Sequence, residues 1–232
     1  MFYFDIPRDE LGRRLGKGVA EGTVTLIEGD DGSGKTVLTQ RFTYGFLRNG
    51  HSVTYISTEL STRDFVKQMM SLRYDVTEYL LNGKLLFLPV YPPTARHLKR
   101  KKDLLRRVVD HADQLFKRDI TIIDTLTLLL PEGGVSDKTA FDFLTLLKKV
   151  TLKGKSVIIT ADPGATDEKL LEPLREIADN YLIMKAEVSG EDIKNVIYVQ
   201  RWKRAETEVS KIVKFRVEPN FGIVIDISSF AI

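Results

Sequence analysis

The sequence of 232 residues contains no cysteine, which excludes disulfide bonds, thiolate metal sites and cysteine nucleophiles. It has three histidines, His51, His97 and His111, and their wide spacing does not predict a metal cluster. No apolar run is as long as a membrane span, and the first residues lack the positive charge of an export signal. We therefore expect a soluble, cytoplasmic protein with no transmembrane segment.

The charges of the sequence are abundant and nearly balanced. Lys and Arg number 35 and Asp and Glu number 32, for a formal net charge of +3, which does not indicate a nucleic-acid-binding protein. Hydrophobic residues make up 43% of the chain, and no linker or change of composition divides it. These features predict one α/β domain over residues 1–232.

The most informative segment is glycine-rich and lies between a strand-like apolar run, residues 24–27, and a stretch with helical spacing. It consists of Gly29, Asp30, Asp31, Gly32, Ser33, Gly34, Lys35 and Thr36, and Val37 continues the predicted site into the helix. The glycines let backbone N–H groups turn toward phosphates, which the positive end of the helix also attracts. Lys35 would reach the terminal phosphates, and the Thr36 hydroxyl would ligate Mg²⁺. The segment therefore predicts a site for a nucleoside triphosphate with Mg²⁺.

Strand and helix patterns alternate along most of the chain. We predict strands at 24–27, 52–57, 85–90, 120–124 and 156–160, with helices between them that include 94–117 and 136–152. From Tyr181 onward, four short apolar runs divided by turn residues predict antiparallel strands at the edge of the sheet. The expected fold is α/β, with a mainly parallel sheet flanked by helices and antiparallel C-terminal strands.

Carboxylates follow two of the predicted strands. Asp124 closes the strand at 120–124, and in a parallel sheet it would reach the crevice beside the phosphate loop and hold Mg²⁺ together with Thr36. The alternative is that Asp124 caps the following turn. Glu59 follows the second strand, where it would polarise a water molecule aimed at the γ-phosphate. The alternative for Glu59 is a favourable interaction with the dipole of the next helix.

Two charged segments bear on nucleic-acid binding. The densest positive run, residues 96–102, contains no Phe, Tyr or Trp for base stacking, and pairs such as Lys99 with Asp103 favour a solvated helix face. Nucleic acid, an acidic protein or anionic lipid are the alternative partners of this run. The segment 162–179 carries an excess of carboxylates, which opposes contact with a DNA backbone. We therefore predict no specific nucleic-acid partner.

Four segments together resemble the RecA-like ATPases, in particular the KaiC-like branch and its accessory proteins of the archaellum, the archaeal flagellum. They are residues 21–36 (EGTVTLIEGDDGSGKT), 55–60 (YISTEL), 119–131 (DITIIDTLTLLLP) and the tail through Arg201-Trp202-Lys203. The resemblance implies a RecA-type core that binds ATP and Mg²⁺ and assembles into a homo-hexameric ring with nucleotide near the subunit boundaries. It also implies a cytoplasmic position beside the membrane, with the archaellum motor ATPase and membrane platform as partners.

The sequence departs from the pattern of the family at two places. KaiC-like enzymes often carry paired glutamates after the second strand, whereas Glu59 is followed by Leu60, so the expected hydrolysis is weak or absent. The family usually offers a Lys-x-Arg motif to a neighbour's nucleotide, and here the order is Arg201, Trp202, Lys203. Alternation places both cations on one face of a predicted edge strand, where in a ring they would meet the neighbour's γ-phosphate. The alternative is a charged edge that prevents strand pairing.

Three functions remain open from the sequence. The favoured one is an ATP-binding regulatory subunit of the archaellum motor, with a ring that nucleotide orders and with slow or negligible turnover. The first alternative is a RecA-like DNA recombination ATPase, which would need a flexible basic loop where residues 162–168 are acidic. The second is an active ATPase or autokinase that uses Glu59, with Ser57 or Thr58 as phosphate acceptor.

Overall fold

A nine-stranded sheet forms the centre of the computed structural model, which describes residues 1–90, 104–131, 133–189 and 192–226. The strands are β1 (Phe2–Tyr3), β2 (Gly18–Val19), β3 (Val24–Gly29), β4 (Val53–Ser57), β5 (Leu85–Pro89), β6 (Ile120–Asp124), β7 (Ser156–Ala161), β8 (Asn180–Ser189), β9 (Asp192–Trp202), β10 (Ile212–Glu218) and β11 (Gly222–Ile225). The helices are α1 (Leu11–Arg14), α2 (Lys35–Arg48), α3 (Thr62–Ser71), α4 (Thr77–Leu81), α5 (Leu104–Asp110), α6 (Ala112–Leu115), α7 (Asp137–Leu152) and α8 (Glu168–Ile177). Among the described residues, no helix is long and apolar enough to cross a membrane.

The strand order is β11-β10-β9-β8-β3-β7-β6-β4-β5, and β1 pairs with β2 in a separate two-stranded sheet. From β8 to β5 every neighbouring pair is parallel, whereas β8 to β11 are joined by antiparallel pairing. The predicted architecture is therefore confirmed. Because parallel strands point the same way, the C-terminal ends of β3, β4, β6 and β7 lie at one edge of the sheet.

Hydrophobic cores lie on both faces of the sheet. One is enclosed by α2, α3 and the N-terminal segment of the chain, and the other by α5, α7 and α8. Strands β3, β4, β6 and β7 are buried at every residue because helices cover both of their faces. This explains why their sequences read as continuous apolar runs rather than as an alternation.

The predicted helix at 136–152 is confirmed as α7, which spans Asp137–Leu152. Ser61 followed by Asp64 three residues later is a sequence signal for the start of a helix, and in the structure Ser61 caps α3 by accepting a hydrogen bond of 3.1 Å from the N–H of Asp64. One unbroken helix over 94–117 is wrong, since its described part forms α5 and α6. These helices are interrupted at His111, whose ring nitrogen Nδ1 lies 2.9 Å from the Arg107 carbonyl oxygen. The basic run at 96–102 lies outside the described residues.

The N-terminal segment is held against α2 by a buried ion pair. The Arg41 side chain is 0% exposed, and its Nε donates to Asp9 Oδ2 at 2.6 Å. Nη2 of Arg41 donates to Asp9 Oδ1 at 2.7 Å, and Nη1 donates to the Phe4 carbonyl oxygen at 2.8 Å. The bidentate pair thereby satisfies a charge that would be costly to bury alone. It fastens the start of the chain to the helix that follows the glycine-rich loop.

We predict that Asp9→Ala lowers the free energy of unfolding by about 3–5 kcal/mol, because the Arg41 charge would remain buried without its partner. Glu10→Ala is the matched control, since Glu10 pairs with Arg13 at 3.5 Å between exposed side chains. Loss of that exposed pair costs less than about 1 kcal/mol. Chemical denaturation measures both variants, and equal destabilisation would refute the importance of the buried pair.

Candidate nucleotide-binding site

The glycine-rich loop turns the chain from the end of β3 into α2. Gly29 and Ser33 are buried, whereas Asp30, Asp31 and Gly32 are exposed to solvent. Gly34 has a φ of +91°, and a Cβ atom there would lie 3.0 Å from Nδ2 of Asn195. Only glycine combines that backbone conformation with so close an approach of β9. The loop therefore has the backbone geometry that the sequence predicts for phosphate binding.

The first turn of α2 presents a cation at the loop, together with N–H groups that have no acceptor within the helix. The first helical hydrogen bond runs from the N–H of Leu38 to the Gly34 carbonyl oxygen, at 3.0 Å. The N–H groups of Lys35, Thr36 and Val37 therefore have no acceptor within the helix. The Lys35 ammonium donates to the carbonyl oxygens of Gly29 at 2.6 Å and Asp30 at 2.8 Å, so it lies over the loop. Such an arrangement attracts an anion through both hydrogen bonds and the helix dipole.

Asp124 is the last residue of β6, at the edge of the sheet where β3 leads into the loop. Its side chain is only 3% exposed, and Oδ1 accepts a hydrogen bond of 2.7 Å from the Thr160 hydroxyl. Oδ2 accepts a hydrogen bond of 2.6 Å from the Tyr55 hydroxyl, which also lies 2.9 Å from Oγ1 of Thr39 in α2. The carboxylate is thus fixed in orientation by donors on β7 and β4.

The oxygen ligands at this edge suit Mg²⁺, which prefers carboxylate, hydroxyl and phosphate oxygens. Thr36 on α2 and Asp124 on β6 are the residues that would hold it. Among the residues that the structure describes, no group of three or more His, Asp or Glu could hold a metal ion. The phosphates of a nucleotide would therefore have to complete the coordination of a cation here.

Glu59 lies just after β4 and faces the same edge. Partial burial of its carboxyl group raises the pKa of Glu59, and the negative charges of Asp124 and Asp31 raise it further. The positive charge of Lys35 acts in the opposite direction. The structure therefore brings Glu59, Asp124 and the loop into one electrostatic environment. A carboxylate with a raised pKa is a stronger base than an ordinary glutamate.

Ser57 and Thr58 are buried and bonded to the backbone. Ser57 Oγ accepts hydrogen bonds from the N–H groups of Leu60 at 3.0 Å and Glu59 at 3.4 Å. The Thr58 hydroxyl donates to the Thr125 carbonyl oxygen at 3.2 Å and accepts from the Thr125 N–H at 2.9 Å. Both hydroxyls thus shape the turn after β4.

Arg201 and Lys203 lie away from the loop of their own chain. Arg201 pairs with Tyr181 of β8, which in turn pairs with Leu26 of β3. Leu26 lies three residues before Gly29, so Arg201 is displaced from the start of the loop by about 10 Å along the strand direction. It donates a hydrogen bond to the Arg175 carbonyl oxygen, while Lys203 Nζ lies 3.3 Å from Asp179 Oδ1. The structure therefore does not bring these two cations to the loop.

The expected alternation at the end of β9 is present, but the expected edge is not. Trp202 lies on the opposite face from Arg201 and Lys203, with its ring 6.3 Å from that of Phe4. The prediction of an edge strand is wrong, because β9 pairs with both β8 and β10. Only residues 195–198 of β9 pair with β10, so the end of β9 near Arg201 extends beyond the paired part of β10.

Three polar residues of the site had no role in the sequence prediction: Tyr55, Thr160 and Thr39. Tyr55 and Thr160 lie near the ends of the predicted strands β4 and β7. The only sequence signal that could have identified them as site residues is a hydroxyl group within an apolar run. Their contacts with Asp124 join positions 69 and 36 residues apart. Such contacts depend on the pairing of strands, which a local pattern does not specify.

The chain matches known proteins over almost its whole length. The family model described as "ATPase: KaiC" matches residues 9–229. The archaeal flagellar ATP-binding protein FlaH of Methanocaldococcus jannaschii is 37% identical over 227 residues, which cover 98% of this chain and 96% of that protein. The protein of the same name from Methanococcus voltae is 33% identical and covers 98% of this chain and 97% of its own length.

The solved structures agree with the sequence relatives. The crystal structure of the flagellar accessory protein FlaH from Methanocaldococcus jannaschii superimposes with a TM-score of 0.90 at 35% identity, and the match covers 98% of this chain and 100% of that one. The predicted RecA-type fold of the KaiC-like branch is therefore confirmed. The chain belongs to the KaiC-like ATPase family and, within it, to the archaeal flagellar ATP-binding proteins called FlaH.

Proposed function

We propose that the protein is an ATP-binding regulatory subunit of the archaellum, which forms a nucleotide-dependent ring and engages the motor ATPase beside the membrane platform. Relatives named as archaeal flagellar ATP-binding proteins support the system and the ligand. The observation that carries the proposal is the loop between β3 and α2, where Lys35 lies beside N–H groups that have no acceptor within the helix. In this proposal the protein acts in the cytoplasm, and ATP is a structural switch.

The proposed metal partner is Mg²⁺, held by Thr36 and Asp124. When bound, it supplies positive charge to the β- and γ-phosphates. The protein residues supply the rest of the site: the loop binds the phosphates, Lys35 neutralises their charge, and Asp124 is held in one orientation by its two hydroxyl donors. Buried, prearranged donors lose little entropy when the nucleotide binds.

The positions of Arg201 and Lys203 support a ring. Both lie on one face beyond the end of β10 and apart from their own loop, so a phosphate that they contact would belong to a neighbouring subunit. The Arg201 guanidinium and the Lys203 ammonium would form charge-assisted hydrogen bonds with a γ-phosphate. Such contacts exist with ATP and weaken with ADP. We infer a homo-hexamer from the family resemblance.

An active ATPase is the second candidate, and the raised pKa of Glu59 favours it. An autokinase that uses Ser57 or Thr58 is less well supported, because both hydroxyls are buried and bonded to the backbone. A DNA recombination ATPase is also less well supported, since the exposed face of α8 carries Glu168, Glu172 and Glu176. Slow hydrolysis by Glu59 is compatible with the regulatory role.

We predict that Lys35→Ala or Thr36→Ala abolishes tight binding of Mg-ATP and leaves the fold intact, because each removes a direct contact with phosphate or cation. Isothermal titration calorimetry measures the affinity, and circular dichroism checks the fold. Lys67→Ala, at an exposed position of α3, is the control for loss of a lysine charge. Unchanged affinity in the loop variants would contradict the proposed site.

For Glu59→Gln we expect normal ATP binding, with hydrolysis lower by a factor of about 100 or more, because an amide cannot accept the proton of the attacking water. Hydrolysis by the wild type should fall as the pH is lowered through the raised pKa of Glu59, and so at a higher pH than for an ordinary glutamate. Phosphate release measures both effects. Glu78→Gln, in the exposed first turn of α4, is the control. Equal rates in wild type and Glu59→Gln would remove Glu59 from the mechanism.

Replacement of Arg201 and Lys203 together by Ala should abolish the ATP-promoted oligomer and leave the ATP affinity of the monomer nearly unchanged. Light scattering at matched protein concentration, with ATP, with ADP and without nucleotide, measures assembly. The control is Lys185→Ala with Lys211→Ala, which removes the same charge from exposed positions. An ATP-promoted oligomer that survives in the Arg201 and Lys203 variant would argue against contact in trans.

A further inference from the structure

Asp124 is connected to the phosphate-loop helix by a short chain of buried hydroxyl groups. Tyr55 donates its proton to Asp124 Oδ2 at 2.6 Å. Because that proton is used, Thr39 is the donor in the 2.9 Å contact between its hydroxyl and the Tyr55 oxygen. Thr39 Oγ1 also lies 3.0 Å from the carbonyl oxygen of Thr36, but a hydroxyl has one proton, so Thr39 does not donate to that carbonyl while it donates to Tyr55. The chain thus runs from Asp124 through Tyr55 to Thr39, which lies three residues after Thr36 in α2.

Packing alone does not explain the Tyr55 hydroxyl. The Tyr55 ring packs against those of Phe65 and Phe87, with centroids 5.0 and 5.7 Å away, and a phenylalanine would fill the same space. The side chain is fully buried, so an unpaired hydroxyl would be destabilising there. A phenol keeps its proton at neutral pH, so the Tyr55 hydroxyl is a donor to Asp124 there.

We propose that Tyr55 is a positioning residue for Mg²⁺, whose hydroxyl sets the orientation of the Asp124 carboxylate. This role rests on the proposed function, because it requires a nucleotide and a cation at the loop. Outer partners of metal-binding carboxylates fix the orientation of the ligand, and their loss typically lowers metal affinity by about 10 to 100-fold. The Thr160 hydroxyl holds the other oxygen of Asp124 in the same way.

The test is the dependence of ATP affinity on Mg²⁺, measured by calorimetry with Mg²⁺ and with EDTA. For Tyr55→Phe we expect an unchanged ATP affinity in EDTA, because the loop is intact. The gain from Mg²⁺, meaning the factor by which Mg²⁺ increases the ATP affinity, should be smaller than in the wild type by about 10-fold or more. Thr160→Val, with nearly the same volume, should reduce the gain in the same direction. Tyr79→Phe, in α4, is the control for the loss of a phenol hydroxyl.

The outcomes separate this role from the proposed function. If Tyr55→Phe shows the full gain from Mg²⁺, the positioning role is overturned and the nucleotide site stands. A wild type with equal ATP affinity in Mg²⁺ and EDTA would overturn the metal site and the role of Tyr55 together. Thermal unfolding shows whether Tyr55→Phe has a folding defect. If it has one, Thr160→Val is the deciding variant. A full gain in ATP affinity from Mg²⁺ in Thr160→Val would refute the orientation of Asp124 by its hydroxyl donors.

Discussion

Parallel pairing of β3, β7, β6 and β4 is the constraint on which the candidate site depends. It aligns the ends of these strands, so that the loop after Gly29, the turn after Ser57 and the carboxylate of Asp124 meet at one edge. Each strand is buried on both faces, and hydrophobic burial therefore holds the register that brings the polar groups together. The chemistry of the edge follows from the packing of the interior.

The same edge concentrates negative charge. Asp31, Glu59 and Asp124 lie near one another, and their mutual repulsion is one reason why the pKa of Glu59 is raised. Lys35 opposes that repulsion only in part. A cation bound with nucleotide would relieve it further, and repulsion among the carboxylates would by itself disfavour free ATP without a cation. The charge distribution thus fits the proposed binding of ATP together with Mg²⁺.

The face of the sheet covered by α8 links the loop strand to the cations on β9. Glu28, the residue before Gly29, is buried and forms a bidentate pair with Arg175 of α8, at 2.7 and 2.9 Å. The Arg175 carbonyl oxygen accepts a hydrogen bond from Arg201, and Asp179, just after the helix, pairs with Lys203. Helix α8 therefore holds Arg201, and the residues just after it hold Lys203. In the proposed ring, it would connect the base of one loop to the contact with the next subunit.

The sequence by itself determined the features that depend on neighbouring residues. The phosphate loop is one of them, because its glycines, its lysine and the start of the helix all lie within eight positions. The buried strands and the Ser61 cap are others. Only the tertiary structure decided which distant residues meet: Asp124 with Tyr55, Arg41 with Asp9, and β9 with β10 instead of solvent. The physical reason is that local propensity acts over one or two turns of chain, whereas strand order and buried ion pairs are selected by the packing of the whole core.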